Sequence, residues 1–421
     1  AGGFGDDGSE SVVKCGSYVG NGTYTQFQNL GFEPQWILFK NASAADDWWI
    51  YDSMRGLVVG GPDNRLAPNL SSAEAVTGSS AMTIAATGFT PNAYSTSGQT
   101  YIYVAIRRPM KTPESGTEVY NTITRTGTGS IANVTGVGFP LDFMTTFYRG
   151  SAHDKVVFDR MRGPTQYLNT AATTQEINVS TNGLISFDMD GFTTNANGYA
   201  NNSGTAFVNH CFKRAPGFMD VVAYTGNGVA GATQAHNLGV VPEFMIVKPR
   251  GSGNWATYNK FNTATDLMYL NEIYASDSNG SIWNNTTPTD TVFTLGSGFL
   301  NTSNAPFIAY LFASLDGVSK VGSYTGTGSD LNVDCGFSAG ARFILIKRTD
   351  GSQYASGDWY VWDSVRGIVA GNDPYLLLNS TAAEVTNTDY IDPLSSGFTV
   401  TSSAPAGLNA SSGTYIFLAI A

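Results

Sequence analysis

Charge is scarce in this sequence: Asp, Glu, Lys and Arg supply 13% of its 421 residues, against the ~25% usual for soluble domains. A chain this poor in Lys and Glu is not built of solvated amphipathic helices. Its surface has to be covered by Gly, Ser, Thr and Asn instead. Basic residues are the scarcer sign, 22 against 33 acidic, for a net charge of −11. That balance lacks the positive footprint that phosphate backbones demand, so nucleic acid is not an expected partner. Long apolar runs are missing too. Stretches such as Tyr101 to Ile106 and Tyr415 to Ala421 are strand-sized and far short of the ~18 residues of a membrane helix, so no membrane insertion is expected.

Cysteine and histidine are equally sparse. Cys15, Cys211 and Cys335 lie far apart and form no C-x-x-C; they read as buried small hydrophobes. His153, His210 and His236 are scattered, so neither residue type offers the ligand spacing of a metal site. No metal and no cofactor are expected. The carboxylate pairs Asp6 with Asp7 and Asp188 with Asp190 offer oxygen ligands, but not in the pattern of a calcium loop.

What is plentiful is 48 Gly, 21 Tyr and 24 Phe within a composition that is 42% hydrophobic. Aromatic strands joined by tight turns follow from that mixture. The chain also repeats itself. A Gly-x-Gly turn occurs at Gly20-Asn21-Gly22, Gly127-Thr128-Gly129, Gly226-Asn227-Gly228 and Gly326-Thr327-Gly328, at steps of 107, 99 and 100 residues. Each is followed by the same landmarks: an apolar strand, an alternating aromatic strand, a Leu-Asn or Pro-Asn element at Asn69, Asn169, Asn271 and Asn379, a Gly-Phe opening, and a closing apolar strand. Such self-similarity signals tandem units.

The expectation is therefore an all-β protein of four tandem β-sandwich or jelly-roll-like repeat domains. Residues 1–10 read as an N-terminal tail or connection. The repeats span 11–110, 116–214, 218–315 and 318–421, the second being divergent and the third a partial match. Their connectors are short, so the domains should pack in line or in a ring. The Gly-x-Gly elements read as hairpin turns: no Walker pattern surrounds them.

Two constellations stand out. Three repeats share an Asp-x-x-Arg-Gly turn, pairing Asp52 with Arg55, Asp159 with Arg162 and Asp363 with Arg366. An Asp at a turn start accepts backbone N–H groups and an Arg can brace the loop, which makes these structural ion pairs. The second is aromatic. Neighbours on an ideal strand point to opposite faces, so Trp48 and Trp49 cannot both be core. With Trp359 and Trp362 they form the candidate exposed binding surface for a sugar or a protein. No Gly-x-Ser-x-Gly elbow occurs, and no catalytic residue is assigned.

The combination Gly-Ser-Tyr-Thr-Gly-x-Gly, Leu-Gly-Phe-x-Pro-x-Trp-Ile-Leu-Phe-Lys, Trp-Trp-Ile-Tyr-Asp-Ser-Met-Arg-Gly and Ser-Gly-Thr-Tyr-Ile-Phe-Leu-Ala-Ile-Ala resembles an uncharacterised β-rich repeat family. That family, with repeats of ~100 residues, occurs in virion proteins of tailed bacteriophages, notably those of marine bacteria and cyanobacteria. The match is strongest over residues 16–108 and 322–421. The resemblance implies a non-enzymatic structural protein on the exterior of a phage particle, a tail fibre, head fibre or capsid decoration. Its expected partners are other virion proteins, a host surface glycan or envelope protein, and further copies of itself, with a trimer favoured. Two alternatives remain at this point: a secreted, extracellular bacterial lectin or filament subunit, and a polysaccharide depolymerase tailspike. The last would need two carboxylates about 5–9.5 Å apart across a groove.

Overall fold

The structure is a computed structural model that describes residues 11–196, 198–351 and 357–421. The expected tail, with Asp6 and Asp7, lies outside the described residues. The chain is all-β, with 40% of residues in strands. No helix among the described residues is long and apolar enough to cross a membrane.

Each repeat builds its own two main antiparallel sheets, to which the first adds a two-stranded one, and we call each repeat a module. In module 1 the larger sheet runs Val13–Val19, Thr100–Arg107, Pro34–Asn41, Trp48–Asp52. Opposite it lie Gln28–Asn29, Gly88–Thr90 and Thr83–Ala85. Module 2 repeats this order with Tyr120–Thr126, Ala206–Phe212, Phe143–Tyr148 and Val156–Asp159. Module 3 uses Met219–Thr225, Pro306–Phe312, Phe244–Pro249 and Ala256–Asn259. Module 4 uses Ser319–Thr325, Thr414–Ile420, Phe343–Arg348 and Tyr360–Asp363. The first and last strands of every repeat pair with each other, which closes each module on itself. Between its sheets each of modules 2–4 packs an apolar core, typified by Phe158 and Phe192, Tyr258 and Phe293, and Trp362 and Phe398.

The Gly-x-Gly elements are not hairpins. The strands on either side of each belong to opposite sheets, so the element is the corner where the chain crosses the sandwich. A Cβ on the first glycine would lie 2.1–2.3 Å from a facing carbonyl in all four copies. The second glycine has φ between +68° and +79°. One position needs glycine for close approach and the other for its left-handed backbone. A distant residue clamps the corner. Asn301 Oδ1 accepts from Asn227 N–H at 2.9 Å, while its amide donates to the carbonyls of Val229 and Gly296. Asn201 and Asn409 do the same for their own corners, and Ser95 holds that place in module 1 through its carbonyl to Gly22 N–H.

The chain divides into two compact units. One holds residues up to Met110 with Arg160–Gly163; the other holds Lys111–Asp159 and Pro164–Ala421. Modules 2–4 therefore share one body.

Candidate functional site at the seams between modules

In modules 2–4 the closing strands are buried at six of seven positions, on both faces of the sheet. One face meets the module's own core. The other meets the neighbouring modules. Module 1 differs, its closing strand alternating between buried and partly exposed positions.

The contacts between modules 2–4 recur in cyclic order. Backbone N–H groups of Glu176, Ser276 and Glu384 donate to the carbonyls of Arg250, Thr349 and Arg149, at 2.7, 2.9 and 2.8 Å. These link module 2 to 3, 3 to 4 and 4 to 2. The indole N–H of Trp255 donates to the Asn169 carbonyl at 2.9 Å, and that of Trp359 to the Tyr269 carbonyl at 3.0 Å. The third seam instead has the Thr170 hydroxyl donating to the Leu378 carbonyl at 2.7 Å. Three modules thus form a closed ring.

Strand pairing places Phe143, Phe244 and Phe343 at equivalent positions, and likewise His210, Tyr310 and Leu418. All six line a small void of about 50 Å³ with no exposed polar surface. Ligand pockets are far larger, at roughly 300–1,000 Å³. A void this small, walled mainly by aromatic and aliphatic side chains, is a packing defect where three sheets meet.

The seam positions carry the polar chemistry. His210 Nε2 lies 3.0 Å from Asp363 Oδ2, and Thr145 Oγ1 lies 2.8 Å from His210 Nδ1. A carboxylate only accepts, so Nε2 carries the proton and the threonine hydroxyl donates to Nδ1. Burial holds His210 below its usual value despite the carboxylate. Burial alone would raise Asp363, but the Arg366 guanidinium and His210 outweigh it and hold its carboxyl far below the usual range. Arg366 meets Asp363 at 2.5 Å and Glu384 at 3.1 Å, and Glu384 also takes Arg149 of module 2 at 2.9 Å. A hydroxyl, an imidazole and a carboxylate in line have the order of a hydrolase triad. Here Asp363 and His210 are fully buried, Thr145 is buried as well, and the row is a strut between modules 4 and 2. At the next seam Tyr310 takes the histidine's place and donates to Asp159 Oδ2 at 2.7 Å.

The Asp-x-x-Arg-Gly turns follow the geometry their residues dictate. Asp52 Oδ1 accepts from Arg55 N–H at 2.8 Å and Oδ2 from Arg55 Nε at 2.5 Å, with Glu74 completing the set at 2.9 Å. Asp363 repeats this with Arg366 and Glu384. Asp159 and Arg162 are both buried. In module 3 Asn259 accepts from the N–H groups of Phe261 and Asn262, both at 3.1 Å; with no arginine there, an uncharged side chain suffices.

Of the four tryptophans expected to be exposed, Trp359 and Trp362 are buried at 1% and 0%. The correction has a physical reason: Trp362 points into its module's core, and Trp359 packs on Phe244 of module 3. Neither is open to a sugar. Trp48 and Trp49 are half-buried, and Arg65 stacks 3.8 Å from the Trp49 ring. The cysteine expectation is also corrected at one position. Cys211 and Cys335 are buried, but Cys15 is exposed, because it lies on the edge strand of module 1 with its side chain on the outward face. Asp188 accepts from Ser186, Thr193 and Asn133, and Asp190 from the N–H groups of Gly136 and Gly138. Both are braces for turns, and no group of three or more His, Cys, Asp or Glu able to hold a metal occurs among the described residues.

Sequence reasoning missed the buried lysines. Lys248 and Lys347 occupy equivalent positions beside the closing strand, each one residue beyond the paired stretch whose partner strand is preceded by a tryptophan, Trp255 and Trp359. In module 2 the two types are exchanged, Phe147 standing for the lysine and Lys155 for the tryptophan. Lys155 donates to the Ala382 carbonyl of module 4 and Lys347 to the Ile273 carbonyl of module 3. Burial pushes Lys347 down to about 7 and Lys155 to about 8. The legible signal was a lysine ending an otherwise apolar strand.

One family model, described as a domain of unknown function (DUF7483), matches residues 9–109 and again 115–421. The gap between the matches falls where the two compact units divide. No curated protein and no solved structure matches the chain.

Proposed function

The chain belongs to the DUF7483 family, and from its closed ring of modules we infer that it is a structural protein rather than an enzyme. The observation that carries this is where its reactive groups are spent. The Thr145, His210 and Asp363 row, the Arg149, Glu384 and Arg366 set and the low-pKa lysines are all used in joining modules. A subunit whose polar side chains join modules, and whose surface is rich in Asn, Ser and Thr, suits an exterior part of a particle. Such a surface gains adhesion by presenting many copies.

With the motif resemblance, the best reading is a virion protein of a tailed bacteriophage, in a fibre or capsid decoration. It would contact other virion proteins and a host glycan or envelope protein. Mass spectrometry of gradient-purified particles, combined with antibody labelling of intact ones, tests this. The chain is expected in particles and accessible from outside. Its absence from particles of a phage that encodes it would overturn the virion reading.

A further inference from the structure

The outward face of module 1's larger sheet differs in burial from its three counterparts. Strand pairing sets Trp36 beside Ile106, Val104 beside Leu38, and Leu38 beside Ile50, and alternation puts them on one face with Trp48. By the same registers, Trp36 corresponds to Phe143, Phe244 and Phe343, and Val104 to His210, Tyr310 and Leu418. Those six are all buried. In module 1 Trp36, Leu38, Trp48, Ile50 and Val104 are only half-buried, and Ile106 is 39% exposed. A contiguous apolar patch of this kind marks an interaction surface.

The polar connectors of the seam are also in place there. Ala42 N–H donates to the Thr100 carbonyl just as Arg149, Arg250 and Thr349 donate to their closing strands. The carbonyls of those three accept a neighbouring module's N–H; that of Ala42 has no partner among the described residues. Glu74 holds the place of Glu384 through its bond to Arg55, and its N–H is likewise without an acceptor among the described residues. So is the indole N–H of Trp48, where Trp255 and Trp359 reach across. One family model covers both this module and the stretch that forms the ring.

We propose that this face is a self-assembly surface through which the first modules of three copies of the chain meet, in the head-to-tail order that modules 2–4 follow within one chain. A heterologous contact whose rotation closes gives a ring, and this chain already contains an example of that closure. At each new seam the Ala42 carbonyl accepts from Glu74 N–H of the next copy, and the Trp48 indole donates to a carbonyl beside Asn69 of a neighbour. Val104 stands apolar at the axis, as Leu418 does. A second copy is the occupant because module 1 presents both halves of the junction. The inference goes beyond the virion reading and is tested on the purified chain, so either can fail alone.

Size-exclusion chromatography with light scattering on the full chain should give three times the 44.7 kDa of one chain. Leu38→Glu and Val104→Glu, which alter the outward face and not the core, should give the single-chain mass with an unchanged circular dichroism spectrum. Ile131→Glu, at a residue 67% exposed in module 2, should leave the assembly intact. Cys15 gives a readout that needs no variant, since it pairs with Val104 on this face. Its reaction with a thiol reagent should be slowed about tenfold by assembly and recover on dilution. A monomeric or dimeric wild type, an assembly that survives both substitutions, or a Cys15 equally reactive at all concentrations overturns the proposal.

Discussion

At Asp363 one carboxylate holds an arginine from its own turn and a histidine from another module, both at hydrogen-bond distance and all three buried. Removing its charge leaves the buried Arg366 guanidinium with only Glu384, already shared with Arg149, to balance it. Asp363→Asn should therefore cost about 3–5 kcal/mol of unfolding free energy in urea titrations. The matching Asp52→Asn, in a pair whose side chains are 26% and 13% exposed, should cost about 1 kcal/mol or less. Equal costs would contradict the seam's role. Lys347 makes a separate prediction. Its native pKa of about 7 lies below the ordinary lysine value, so above pH 7 the unfolded chain binds more protons than the native one. Stability should then rise with pH through that window, by up to about 1.4 kcal/mol per unit. In Lys347→Met that share of the rise should vanish, which unfolding curves at pH 7, 8 and 9 would report.

The corner elements show what sequence reading captures and where it stops. Gly-x-Gly recurs at a near-constant step because both glycines answer a backbone demand, and that made the repeats legible. Gly226→Ala would place a methyl 2.3 Å from the Thr302 carbonyl, and Asn301→Ala would take from Asn227 N–H its acceptor and from the buried Gly296 carbonyl its side-chain donor. The asparagine change should cost about 1–3 kcal/mol and should speed hydrogen exchange at Asn227 and Gly228. Unchanged exchange there would refute the clamp. The clamp itself was not legible, since Asn301 lies 74 residues from its partner in a chain full of asparagine. The all-β class could be read because alternation is local. That the corners join opposite sheets could not, because sheet membership is decided by strands about 80 residues apart. The seams did leave a trace: Pro306–Phe312 and Thr414–Ile420 are apolar on both faces and buried on both, and Tyr101 to Ile106 is the same kind of run with its outward face only partly covered. An apolar run without alternation is the mark of a strand buried on both sides. It also explains why Trp359 was misplaced as an exposed residue.

Across the whole molecule, repetition has given one chain three modules that do for each other what separate subunits do in an oligomer. Shared seams make modules 2–4 one cooperative body, even though each has its own sheets and core. Differential scanning calorimetry of the full chain tests this most directly, comparing wild type with Asp363→Asn. Modules 2–4 should unfold in a single transition whose calorimetric and van't Hoff enthalpies agree, and the substitution should lower that transition as a whole. Three separate transitions, with only that of module 4 shifted by the substitution, would contradict it.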